Sequence, residues 1–142
     1  PVVLVLFGDH KPWMGNGGSV YEEMGIDFDT STLAGFRNYY ATPYLIWANR
    51  AAKEVLGADF TGDGGDFSPC FLMTRLFDAC GWAGPSYMQL SRAMRDISPL
   101  LHTNGLFLHD GVLTSVLSDT DRSFYRSWLA VQYYREHVAA YS

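Results

Sequence analysis

Long hydrophobic runs are missing from this chain: no apolar stretch reaches the roughly 18 residues of a membrane span. The opening residues, Pro1-Val2-Val3-Leu4-Val5-Leu6-Phe7, lack the basic leader and small-residue cleavage site of a signal peptide. As given, the chain is therefore expected to be soluble and without a targeting signal. An initiator methionine is lacking too, and the first residues already read as an apolar strand. That is how a segment of a longer protein begins, in which case targeting and membrane segments would lie upstream. Charge is scarce as well, with Asp, Glu, Lys and Arg making up 18%. The ten basic residues form no run and the net charge is −5, so a phosphate-rich polymer would be repelled and nucleic acid is excluded as a partner. Only two cysteines occur, Cys70 and Cys80, in one apolar helical stretch. Helical geometry separates them by about 15 Å, too far for a disulfide, and they are expected as buried core thiols.

What is present is apolar and aromatic bulk, 48% and 15% of 142 residues. That suffices for one domain with a real core, or for a chain that buries surface against something else. Nothing in the sequence suggests two domains. The apolar run at about 2–8 ends at Gly8 and predicts a strand buried on both faces, as in the middle of a parallel sheet. A long excursion follows, with Gly15-Asn16-Gly17-Gly18, one helical turn at Val20–Met24 and a short helix over 31–39 capped by Thr30 or Ser31. A second buried strand is expected at about 43–48, and a helix over 50–56 stopped by Gly57. Ser68-Pro69 starts a helix at about 69–80 that ends at Gly81, with Thr74, Arg75 and Asp78 as its polar stripe. Ser86 and Gln89 form a capping box for a helix at about 87–98, whose face carries Tyr87, Leu90, Met94, Ile97 and Leu101. A hairpin over 106–117 turns at Asp110-Gly111. A last helix, about 121–140, places Trp128, Val131, Tyr134, Val138 and Tyr141 on one side. Strands alternating with helices define the class as α/β.

Chemistry concentrates at Gly8-Asp9-His10, at the end of the first strand. Ligands of open α/β sheets bind beyond the carboxyl ends of strands, and a carboxylate beside an imidazole suits zinc or manganese. Gly8 would let the backbone turn sharply so that both side chains reach one ion. Taken alone, the dipeptide reads equally well as a capping aspartate and a surface histidine. A catalytic metal usually has three or more protein ligands, so the site is incomplete. His102, His109, Asp110 and His137 are each better explained by a local role. The loop with Asp59, Asp63 and Asp66 lacks the spacing and terminal Glu of an EF-hand. The loop Gly15–Gly18 is a lid over a neighbouring site or a plain mobile loop; it has no phosphate-binding fingerprint. Lys11 could meet an anionic substrate and Trp13 could offer an apolar wall; their simpler roles are a solvated cation and a packed ring. No nucleophile elbow or triad is recognisable.

Phe7-Gly8-Asp9-His10-Lys11-Pro12-Trp13, followed later by Thr42-Pro43-Tyr44-Leu45-Ile46-Trp47-Ala48-Asn49, resembles the lipoteichoic acid synthase and phosphoglycerol transferase family, in the sulfatase branch of the alkaline-phosphatase-like superfamily. Ser68-Pro69 and Val131-Gln132-Tyr133 are similar to later family segments, while 57–67 and the hairpin match weakly. The resemblance implies that Asp9 and His10 ligate a divalent metal, Mn2+ first, with Mg2+ or Zn2+ as alternatives. It also implies that the remaining ligands, the nucleophilic threonine and the groups gripping glycerol phosphate lie upstream. Lys-Pro-Trp after the motif tilts the likeness toward phosphoglycerol transfer and away from sulfate ester hydrolysis.

The expectation is therefore one carboxy-terminal segment, 1–142, of a larger catalytic domain: part of an alkaline-phosphatase-like α/β/α sandwich, with no catalytic residue of its own and inactive in isolation. Its expected partners are the missing amino-terminal half of the same domain and, in the parent, a phosphoglycerol lipid. Self-association through the uncovered sheet is a further expectation. The parent would be membrane-anchored with its catalytic domain outside the cytoplasm. The alternatives are part of a sulfatase or phosphodiesterase-type hydrolase, using the same metal pair, and a non-catalytic binding module in which Asp9-His10 is incidental.

Overall fold

The β-branched and aliphatic residues after Pro1 form strand β1 (Val3–Phe7), and the run after Pro43 forms β2 (Tyr44–Ala48). The structure, a computed structural model, describes residues 1–138 and divides the chain into two compact units, Pro1–Val55 and Leu56–Ser142. In the first unit β1 and β2 pair antiparallel, from Val3 opposite Ala48 to Phe7 opposite Tyr44. Strands buried on both faces of a parallel sheet, the expectation from their composition, are not what forms. Leu4 and Leu6 lie opposite Trp47 and Leu45 on one face, and all four are about half exposed. A continuous apolar run identifies a strand but carries no periodicity that would report its partners.

Between these strands come a 3-10 turn at Asn16–Gly18, helix α1 (Ser19–Glu23) and helix α2 (Leu33–Tyr40). The cap of α2 is Thr32, whose hydroxyl accepts from the Gly35 amide at 3.0 Å, and not Thr30 or Ser31. Gly35 is required by contact: an ideal Cβ there would lie 2.1 Å from the carbonyl oxygen of Asp29. The helix thus rests directly on the backbone of the preceding turn, which Asp29 braces by accepting from the Ser31 amide at 2.9 Å. Tyr21 meets Phe28 at a tilt and Phe28 meets Tyr39 edge-on, with centroids 5.0 and 5.5 Å apart, and Phe36 is buried. Helix α3 (Arg50–Leu56) starts at Asn49, whose side-chain oxygen accepts from Ala52 at 2.9 Å and from Val2 at 3.0 Å. It stops at Gly57, which takes the left-handed conformation at φ 65°.

The second unit starts with a 3-10 turn at Pro69–Phe71 that leads into α4 (Leu72–Ala79), followed by α5 (Ser86–Ile97). A three-stranded antiparallel sheet comes next, β3 (Leu101–His102), β4 (Leu106–His109) and β5 (Val112–Thr114), and then α6 (Asp119–His137). The hairpin turn falls at Asp110-Gly111 as expected, both with positive φ, 48° and 77°. Strand β3, pairing Leu101 with Phe107, was not legible in the sequence. The core is Phe71, Met94 and Trp128, joined by Leu90, Ile97, Leu101, Phe124 and Tyr125.

Local signals were redirected here. Ser68 does not cap a helix; its hydroxyl accepts from the Leu101 amide at 2.8 Å and donates to the Leu101 carbonyl at 3.1 Å. The capping box at Ser86 does not form either; Gln89 donates to the Gly84 carbonyl at 3.2 Å. Thr74 and Asp78 face α5 and not solvent: Thr74 is buried, and Asp78 pairs with Arg92 at 2.5 Å and Arg95 at 2.7 Å. On α6 only Trp128 of the expected stripe is buried; Val131, Tyr134 and Val138 are exposed, while Phe124 and Tyr125 turn inward. Tyr141 and the last residues of the expected helix lie outside the described residues. Cys80 is buried, but Cys70 is exposed, and both are free thiols.

The chain is thus mixed α and β, with small sheets of two and three strands. Among the described residues no helix is long and apolar enough to cross a membrane.

Candidate functional site

The register of the first sheet sets the site. Phe7 opposite Tyr44 is the last pair of the ladder. One step further, the Gly8 amide donates to the Pro43 carbonyl at 2.9 Å, and the Thr42 hydroxyl donates to the Gly8 carbonyl at 2.7 Å. Gly8 does not adopt a positive φ. The sharp turn expected of it is therefore not the reason for glycine; proximity is. An ideal Cβ at Gly8 would stand 2.9 Å from Cβ of Thr42.

Asp9 and His10 follow at the mouth of the strand. Their side chains are 94% and 81% exposed, and Nε2 of His10 lies 4.0 Å from a carboxylate oxygen of Asp9. His10 Nδ1 lies 3.1 Å from the Lys11 carbonyl oxygen. A carbonyl can only accept, so Nδ1 is the donor in this contact, while Nε2 is the nitrogen on the Asp9 side. That donor set fits a divalent ion. Two ligands of one ion with bonds of about 2.1 Å stand roughly 3–3.5 Å apart. Exposed side chains reach that separation by small rotations.

Lys11 turns away from the pair. Its ammonium donates to the Asn38 carbonyl and lies 6.0 Å from the Phe28 ring centroid, and burial there pulls its pKa down. Asn38 in turn donates to the Asp27 carbonyl at 2.9 Å. Trp13 meets Tyr39 edge-on at 6.0 Å and keeps 58% of its surface open, so it remains available as an apolar wall. Tyr21 donates to the Pro12 carbonyl at 2.5 Å. These bonds stitch the segment after Asp9-His10 onto α1 and α2. The Trp13 ring lies against Gly18, whose ideal Cβ would be 3.5 Å from it, so the glycine-rich turn is packed under an aromatic ring.

The other sequence candidates, all in the second unit, make local contacts, His109 Nε2 lying 3.7 Å from a carboxylate oxygen of Asp110. His102 accepts from the Asn104 amide at 3.2 Å; His109 Nδ1 lies 3.2 Å from the Ile97 carbonyl; His137 stacks on Tyr133 at 4.2 Å. Asp59 and Asp63 bind loop amides, of Thr61 and Gly65. Among the described residues no three His, Cys, Asp or Glu side chains gather where they could hold one ion. Asp9 and His10 are adjacent, and among the described residues no third such side chain joins them. Sequence reasoning gave no role to Thr42, Asn38 or Tyr21; only the Thr-Pro pair before β2 stood as a signal for the first. Comparisons with protein-family models, with curated proteins and with solved structures find no match.

Proposed function

We propose that this chain is the carboxy-terminal part of a metal-dependent phosphoglycerol transferase, with Asp9 and His10 as two ligands of the catalytic divalent ion. The observation carrying this reading is the pairing of β1 with β2. Two stretches that resemble the lipoteichoic acid synthase family, Phe7–Trp13 and Thr42–Asn49, are distant in sequence yet meet at their first residues: Phe7 pairs with Tyr44 and Gly8 bonds to Thr42 and Pro43, with Asp9-His10 following directly. A likeness spread over two segments that meet at one site favours a shared function over a chance dipeptide. The same reading places the segment in an alkaline-phosphatase-like α/β/α domain, held outside the cytoplasm by membrane helices that precede it.

The bound ion, Mn2+ first and Mg2+ or Zn2+ as alternatives, would lower the pKa of an attacking hydroxyl and neutralise charge on the phosphoryl oxygens. Asp9 contributes the negative charge that retains a cation. His10 contributes a ring nitrogen as neutral imidazole. Because imidazole binds only when neutral, metal occupancy is expected to fall at acid pH. Trp13 offers its open face to the glycerol or lipid portion of the substrate. The nucleophile, a threonine by the same resemblance, belongs to the part of the domain that precedes β1. Its hydroxyl oxygen would bond to phosphorus as the lipid alcohol leaves, and an acceptor hydroxyl would then displace it.

Assays of the purified chain with phosphoglycerol and aryl phosphate esters test this division of labour. Negligible hydrolysis is expected with Mn2+ present. Metal-dependent turnover that Asp9→Ala abolishes would sink the claim that the nucleophile lies outside this chain.

A further inference from the structure

We propose that Thr42 is a positioning residue for the Asp9–His10 pair, its hydroxyl fixing the peptide from which both ligands project. The inference rests on the metal-ligand reading of that pair given above. The contacts of the two ligands are local: with each other, and between His10 and the Lys11 carbonyl. Their side chains stand in solvent, so their direction must come from the backbone. On the side from which the chain enters the pair, that backbone is held at Gly8. The Gly8 carbonyl receives the Thr42 hydroxyl at 2.7 Å, and the Gly8 amide donates to Pro43 at 2.9 Å. The Gly8 carbonyl and the Asp9 amide share one rigid peptide plane, so capturing the oxygen also orients the Asp9 amide and places its Cα.

Three features suit Thr42 to this task. It stands one residue before the Pro43 carbonyl that ends the β1–β2 ladder, so the clamp extends the sheet by a single side-chain bond. Its β-branched side chain holds few χ1 rotamers, which keeps the hydroxyl aimed. Gly8 leaves no Cβ between the two, and any larger residue would push Thr42 away, since its Cβ would come within 2.9 Å. The glycine of Gly-Asp-His and the threonine of Thr-Pro therefore work as one device.

The test titrates Mn2+ alone into the chain and follows the NMR signals of the His10 ring and the Asp9 amide. Paramagnetic broadening by Mn2+ reads even weak, two-ligand binding. Asp9→Asn should remove the selective broadening at His10. Thr42→Val, which keeps the shape and loses the donor, should raise the Mn2+ concentration for half-broadening about tenfold, the scale of losing a hydrogen-bond partner that orients a ligand. Thr42→Ala, a second removal of the hydroxyl with space to spare, should do the same, whereas Thr42→Ser should stay within about twofold of the parent chain because the donor remains. If Thr42→Val and Thr42→Ala broaden like the parent while Asp9→Asn does not, Thr42 has no positioning role and the metal reading stands. Equal loss in Thr42→Ser would also overturn the proposal, because the hydroxyl would not be the cause. Absence of selective broadening at His10 in the parent chain overturns the metal reading and this inference together.

Discussion

Asp78 sits between two arginines, Arg92 at 2.5 Å and Arg95 at 2.7 Å, each only partly solvated. Burial pushes its carboxyl upward, but the hydrogen bonds and charges of Arg95 and Arg92 outweigh that and hold it below the ordinary range. A depressed carboxylate stabilises the fold above its unfolded value near 4, and the contribution is lost as pH falls through the lower folded value. Urea midpoints should therefore hold from neutrality down to about pH 5 as far as Asp78 is concerned, with its contribution starting to decline near pH 4 and gone only below the depressed folded value. Asp78→Asn leaves both guanidinium groups without a counter-charge; a cost of about 1–3 kcal/mol is expected, less than for a fully buried pair because solvent reaches all three. Pace of alkylation gives a second check at this scale. Desolvation of the Cys70 sulfur pushes its thiol up to about 11, so the residue is exposed and yet poorly nucleophilic at neutral pH. Iodoacetamide should label it more slowly than a free cysteine at pH 8, with the gap closing only as the pH approaches that value.

At the scale of elements, α5 and α6 are joined by one buried polar bond. Trp128 Nε1 donates to the Ser91 hydroxyl at 3.0 Å, beside Phe71 and Met94. Trp128→Phe would shrink the ring and strand that hydroxyl, and a loss of about 1–3 kcal/mol is expected from chemical denaturation. Ser91→Ala in the same background should restore part of it, because both polar partners would then be gone. The stripe on α5 was legible because Leu90, Met94 and Ile97 recur at helical spacing and meet the core. The Asp110-Gly111 turn was legible because its residue types are those that tolerate positive φ. The amino-terminal caps of the helices were not, although the glycine stops at Gly57 and Gly81 were. Whether Ser68 caps a helix or serves Leu101 depends on where a strand far along the chain comes to rest, which no local pattern encodes. On α6 two apolar faces share Trp128, and periodicity alone cannot decide between Val131 with Tyr134 and Phe124 with Tyr125. That Asp9 and His10 stand at a strand end was readable from the apolar run before them; the bond from Thr42 to Gly8 was not, because it appears only with the register of β1 on β2.

Across the whole chain, apolar surface and sparse charge set the behaviour in solution. Leu4, Leu6, Leu45 and Trp47 form an exposed face on a sheet of only two strands, and a net charge of −5 repels other copies weakly. Such a face and such edges favour association. Sedimentation of the isolated chain is expected to show mass rising with concentration, and Leu6→Lys combined with Leu45→Lys should shift it toward monomer. An unchanged profile in the double variant would place the contact elsewhere. The clamp at Gly8 has a consequence for how such a chain can change over evolution. Everything from Asp9 to Ala41 leaves and returns at one point, where Gly8 meets Thr42 and Pro43. Closing a loop costs only about 0.6 kcal/mol more for each doubling of its length. Descendants could therefore lengthen, shorten or exchange the excursion while Asp9 and His10 stay at its root.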